Sequence, residues 1–106
     1  MADPKRPVLW SRDALTDLAE IWRYYAEAAR PQTADGIIRD IEKMCRLLED
    51  HPLAGRAQDE VRPGLRSIAA RPHVVFYRVT DDAAEIIRVL DGRRDIEEIF
   101  ADEPSS

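Results

Sequence analysis

The stretch from Val61 to Asp95 constrains this chain more than any other. It holds three apolar runs, Leu65–Ala70, His73–Val79 and Ala84–Leu90, separated by Arg71-Pro72 and Asp81-Asp82. Short β-branched and aromatic runs between such turn signals predict strands, and connections this short join only antiparallel neighbours. A two-residue loop at Asp81-Asp82 pairs Val79 with Ala84, Arg78 with Glu85, Phe76 with Ile87 and Val74 with Val89. Opposite charges then face each other across the strands at Arg78 and Glu85. One face of the meander carries Val74, Phe76, Ile87 and Val89, and is expected to receive the helices. The other carries Val75, Tyr77, Ile86 and Arg88. A sheet with one wet face alternates apolar with polar residues, and this one is largely apolar on both. The second face therefore calls for cover by the tail, another copy or a different chain. The tail offers Ile96, Ile99 and Phe100 at helical spacing, too little to cover a face alone. Self-association or instability is expected of the isolated chain.

Upstream the period changes. Val8-Leu9-Trp10 after Pro7 reads as a short edge strand. Ser11 or Asp13 can cap a helix over about Asp13 to Ala29. Its apolar stripe is Leu15, Leu18, Ala19, Trp22, Tyr25, Ala26 and Ala29, with Asp17, Glu20, Arg23 and Glu27 off it. Pro31 suits the first turn of a second helix. There Ala34, Ile37, Ile38, Ile41, Met44, Cys45 and Leu48 share a face, and the pattern stops at Glu49-Asp50-His51-Pro52. The short break between them makes an antiparallel helical hairpin. Gly36 costs up to about 1 kcal/mol against alanine, and close approach of the first helix would be a reason to keep it. His51 to Gly64 is expected to be irregular. The fold class is α+β: an edge strand and a helical hairpin packed on a three-stranded antiparallel sheet.

At 106 residues this is one domain, 1–106, with 1–7 and 101–106 loosely ordered. One cysteine excludes an internal disulfide and implies a reducing compartment. No apolar run approaches a membrane span and the N-terminus lacks the middle region of a signal peptide, so a cytoplasmic setting without membrane contact is expected. The net charge is −5, yet residues 61–95 hold seven arginines against five acids. Phosphate-backbone binders usually carry net positive charge, so direct nucleic-acid binding is not expected. His51, His73 and Cys45 have no metal-ligand spacing, and no cofactor or metal is expected. His51 complements a helix end, His73 reads as a turn residue, and Cys45 lies on an apolar stripe as an inert buried thiol.

Several pieces then match a known family in order and spacing: Ser11–Tyr25 (S-R-D-A-L-T-D-L-A-E-I-W-R-Y-Y), His51–Gly55 (H-P-L-A-G), Arg62–Arg66 (R-P-G-L-R), Val75–Val79 (V-F-Y-R-V) and Ile86–Asp95 (I-I-R-V-L-D-G-R-R-D). Over nearly its whole length the chain resembles the ParE branch of the RelE/ParE toxin superfamily. The family often has His where this chain has Asp91. The resemblance implies the toxin of a type II toxin–antitoxin pair, bound in a hetero-oligomeric complex by a small ParD-like antitoxin. The ParE branch is associated with inhibition of DNA gyrase, the RelE branch with cutting mRNA on the ribosome.

The two branches differ in the chemistry they need. RNA cleavage requires groups to activate a 2′-hydroxyl, stabilise the phosphate and protonate the leaving oxygen. Arg66, Arg71, Arg88, Arg93 and Arg94 could supply phosphate contacts, but no Tyr, His or Lys follows Arg94, and both lysines, Lys5 and Lys43, lie outside the sheet. The expectation is a non-catalytic toxin without catalytic residues. Its target-binding candidates are Arg66, Arg71, Arg88, Arg93 and Arg94, and its antitoxin-interface candidates are Trp22, Tyr25, Val75, Tyr77 and Ile86. The alternatives are a RelE-like mRNA interferase and an inactive interaction module.

Overall fold

The computed structural model describes residues 6–101. The elements run β1 (Val8–Trp10), α1 (Arg12–Ala28), α2 (Pro31–Asp50), β2 (Arg56–Ala57), β3 (Arg66–Ala70), β4 (His73–Val79), β5 (Ala84–Asp91) and α3 (Ile96–Ala101). They form an α+β domain with one five-stranded sheet in the order β1-β5-β4-β3-β2. β1 is an edge strand, as the sequence predicts, and pairs parallel to β5. β2 is an addition, two residues drawn from the stretch expected to be irregular and paired with β3. The termini expected to be loose lie mostly outside the described residues. Within them the Arg6 N–H donates to the Glu49 carbonyl at 3.2 Å.

α1 begins where the sequence predicts a cap. The Ser11 Oγ accepts the Ala14 N–H at 3.0 Å. Pro31 stands at the first turn of α2. A Cβ built at Gly36 meets nothing within 4 Å, so close helix approach is not what keeps that glycine.

The loop at Asp81-Asp82 sets the expected register as far as Tyr77 with Ile86. Beyond it a bulge at Phe76/Tyr77 inserts one extra residue in β5, so Phe76 pairs with Arg88, Val75 with Val89 and Val74 with Leu90. Such an insertion moves every later side chain of β5 to the other face. Val74, Phe76 and Ile87 lie on the side away from the helices, opposite to the sequence expectation, while Val89, displaced by the bulge, keeps the helix side expected of it. Val75, Tyr77, Ile86 and Val89 lie under the helical hairpin with Ala14, Ile41, Cys45 and Leu48. Phe76 and Leu90 form a second core with Leu65 and Phe100, flanked by Val74, Ile87, Ile96 and Ile99.

The tail covers more of that second face than its length suggests. Asp95 caps α3, its Oδ1 accepting the Glu98 N–H at 3.2 Å. Phe100 is 4 % exposed and meets Phe76 edge-on at 5.2 Å. The Arg62 guanidinium lies 5.1 Å from the Phe100 ring centroid, and its Nη2 donates to the Phe100 carbonyl at 3.3 Å. Together with Leu65, α3 packs on Phe76 and Leu90, and an open groove of about 390 Å³ remains, lined by Arg62, Leu65, Arg78 and Ile87.

Candidate functional site

One buried acid sets how α1 meets the sheet. β1 ends at Trp10, opposite Ile86, and α1 continues the edge contact along β5. The Ser11 N–H donates to the Ile86 carbonyl at 3.0 Å and the Ser11 hydroxyl to the Ile87 carbonyl at 2.8 Å. Six residues later Asp17, 7 % exposed, accepts the Val89 N–H at 2.9 Å. Its carboxylate also takes the Arg88 Nε at 2.8 Å and Nη2 at 3.0 Å. The apolar stripe of α1 is consequently turned from its predicted setting. Ala14 and Asp17 face inward, while Leu15 and Trp22 are 54 % and 39 % exposed.

Held this way, α1 and the end of the sheet bound a cleft of about 380 Å³. Glu20, Tyr24 and Tyr25 come from α1, His73 from the start of β4, Asp91 from the end of β5, and Arg93 and Arg94 from the turn after it. The Tyr24 and Tyr25 rings are perpendicular at 5.1 Å, and Tyr25 meets His73 edge-on at 6.0 Å. His73 is 4 % exposed and its Nδ1 has no partner among the described residues. Burial lowers the His73 pKa, and the nearby Asp91 charge opposes that shift. Asp91 accepts the Arg93 N–H at 2.9 Å, Nε at 3.0 Å and Nη2 at 2.9 Å. These bonds hold the Asp91 carboxyl well below the usual carboxylate range and raise Arg93 in turn. Asp91 is thus a clamp for the neighbouring arginine.

The predicted site residues separate into three groups. Arg66 and Arg88 are used inside the fold: Arg66 Nη2 donates to the carbonyls of Leu53 at 3.2 Å and Gly55 at 2.9 Å, and Arg88 is held by Asp17. Arg71, Arg93 and Arg94 are exposed at one end of the sheet, where the Gly92 N–H donates to the Pro72 carbonyl at 3.0 Å and joins the two turns. Of the interface candidates, Tyr25 lines the cleft and Trp22 faces α2, donating from Nε1 to Asp35 Oδ1 at 2.8 Å. Val75, Tyr77 and Ile86 are each 0 % exposed beneath the hairpin, because the helices take the face they occupy; none can meet a partner in the folded chain. Tyr77 instead fixes the connector: its hydroxyl accepts the Gly55 N–H and donates to the Pro52 carbonyl, both at 2.8 Å. Sequence reasoning missed Tyr24 and Glu20 and took His73 for a turn residue. The only available signal was the pairing of His73 with Asp91, which the bulge hides from a simple count. Among the described residues no group of three His, Cys, Asp or Glu could hold a metal, and no helix is long and apolar enough to cross a membrane.

Comparison with known proteins bears on the family and the fold. The profile of the ParE toxin of type II toxin–antitoxin systems matches residues 8–96. A toxin ParE1 of Mycobacterium tuberculosis is 34 % identical over 90 residues, 84 % of this chain and 92 % of the relative. A toxin ParE1 of Caulobacter vibrioides is 36 % identical over 85 residues, 80 % of this chain and 88 % of the relative. A solved chain of a chromosomal ParDE system from P. aeruginosa superposes with a TM-score of 0.73 at 24 % identity, covering 82 % of this chain and 96 % of that one.

Proposed function

The chain belongs to the ParE family of toxins of type II toxin–antitoxin systems, and from that premise we propose that it acts in the cytoplasm by binding DNA gyrase, without catalysis, until a ParD-like antitoxin occupies it. The observation that carries the non-catalytic reading is the fate of the arginines. A ribonuclease needs cationic heads presented to a phosphate in its transition state. Here Arg66 and Arg88 are engaged by backbone carbonyls and by Asp17. What stays outward is Arg71, Arg93 and Arg94 beside Tyr24, an aromatic and cationic patch of the kind that anchors protein contacts. The antitoxin would contact Trp22 and Tyr25 on α1, forming a hetero-oligomeric complex that keeps the target away.

Purified chain added to gyrase should block supercoiling and leave mRNA on translating ribosomes uncut. The joint substitution Arg93→Ala and Arg94→Ala should weaken inhibition at least tenfold while the fold persists. Cleaved mRNA with unimpaired supercoiling would replace this reading with the interferase one; neither effect, with no growth arrest on expression, would leave an inactive module.

A further inference from the structure

We propose that the cleft between α1 and the end of the sheet binds a guanine mononucleotide. At about 380 Å³ it falls within the size range of small-ligand sites. Two of its faces are flat and open. Tyr24 is 64 % exposed and is braced edge-on by Tyr25. The Arg93 side chain is 89 % exposed, yet its Nε and Nη2 are fixed by Asp91, so the guanidinium plane is ordered before anything binds. A planar base stacks on either face at little cost in side-chain ordering. His73 also lines the cleft, and its buried Nδ1 has no partner among the described residues. A buried nitrogen left unbonded in a cleft marks where a ligand, or a water beneath it, completes the hydrogen bonding.

The charges narrow the ligand further. Asp17 is held by Arg88 and Asp91 by Arg93. Of the acids and arginines lining the cleft, that leaves Glu20 on α1 and Arg94 after β5, neither with a side-chain partner among the described residues. Asp95 and Glu98 adjoin Arg94 in a neighbouring pocket without forming an ion pair with it. A carboxylate only accepts, so Glu20 calls for two adjacent donors on one ring edge. Guanine presents them, N1–H beside the N2 amino group. Adenine and cytosine set a ring acceptor beside their amino group, which a carboxylate repels. Arg94 suits a phosphate at the ligand's other end. A free guanine nucleotide and one at the end of an RNA share this chemistry. A longer phosphate backbone meets a chain of net charge −5, which favours the free nucleotide.

Calorimetric titration of the full chain tests this, with GMP, AMP, guanosine and inorganic phosphate as probes. GMP is expected to bind at least tenfold tighter than each of the others. Glu20→Gln should erase the preference for GMP over AMP, and Arg94→Ala should bring GMP down to the affinity of guanosine. Tyr24→Ala should weaken GMP roughly tenfold. All three side chains are exposed, and thermal melts establish that each variant is folded. No binding at millimolar GMP, equal binding of GMP and AMP, or binding unchanged in both Glu20→Gln and Arg94→Ala overturns the site. A short RNA ending in a guanosine phosphate that binds tighter than GMP transfers the site to RNA and overturns the mononucleotide reading too. A filled cleft covers Tyr24 and Arg94, so GMP should also relieve inhibition of gyrase. That consequence alone rests on the proposed target, and its failure beside measured GMP binding would count against the gyrase contact and not against the site.

Discussion

Removing the Asp17 carboxylate tests the account of how α1 is set on the sheet. In Asp17→Ala three donated bonds vanish together, two from the Arg88 guanidinium and one from the Val89 N–H. Orphaning the buried Val89 N–H costs about 1–3 kcal/mol. Taking the carboxylate from a mostly buried ion pair typically brings the total to about 3–5 kcal/mol. The Arg88 side chain is 17 % exposed, so water takes up part of its charge and the lower half of that range is expected. For a domain of this size about 3–4 kcal/mol lowers the melting temperature by roughly 12–20 °C. Asp17→Ala combined with Arg88→Met leaves only the Val89 N–H unpaired, so the double variant should recover about 1–2 kcal/mol over Asp17→Ala. Urea unfolding of the wild type, both single variants and the double variant at neutral pH gives the coupling directly. A loss below about 1 kcal/mol for Asp17→Ala, adding simply with Arg88→Met, would make the pair a surface salt bridge and refute the reasoning.

Other outcomes follow from the same geometry. A Cβ at Gly55 would stand 2.5 Å from the Tyr77 hydroxyl and 2.6 Å from the Ser67 carbonyl oxygen, so Gly55→Ala should destabilise by about 2 kcal/mol or more, read by urea midpoint. Gly36→Ala has open space and should stabilise by up to about 1 kcal/mol in the same assay. Burial holds the native His73 pKa below its usual 6.5, so the unfolded chain binds that proton more tightly. The contribution is whole above pH 6.5 and is lost as pH falls toward the native value; His73→Gln should flatten the slope of stability against pH in that window. Burial pushes the Cys45 thiol up to about 12, so alkylation at neutral pH should be slow in the native protein and fast in denaturant.

The sequence carried most of the architecture because its signals are local. Ser11 as a cap, Pro31 at a first turn and Asp81-Asp82 between strands act through neighbouring backbone alone, and the structure keeps all three. Which face of the sheet meets the helices was not local. Both faces of β4 and β5 are apolar, so the pattern reads alike whichever side the helices take, and the bulge opposite Phe76 and Tyr77 then sends Val89 to the same side as Ile86.

The site divides in the same way. The sequence alone determined that arginines crowd the end of the meander and that Asp91 stands before Gly92-Arg93-Arg94. Only the tertiary structure decided that Arg66 and Arg88 are internal braces while Arg71, Arg93 and Arg94 face outward. An arginine in a strand reads the same whether its head meets water or a buried carboxylate 71 residues away. That choice belongs to Asp17, which looked like a polar-face residue until the chain folded it against β5.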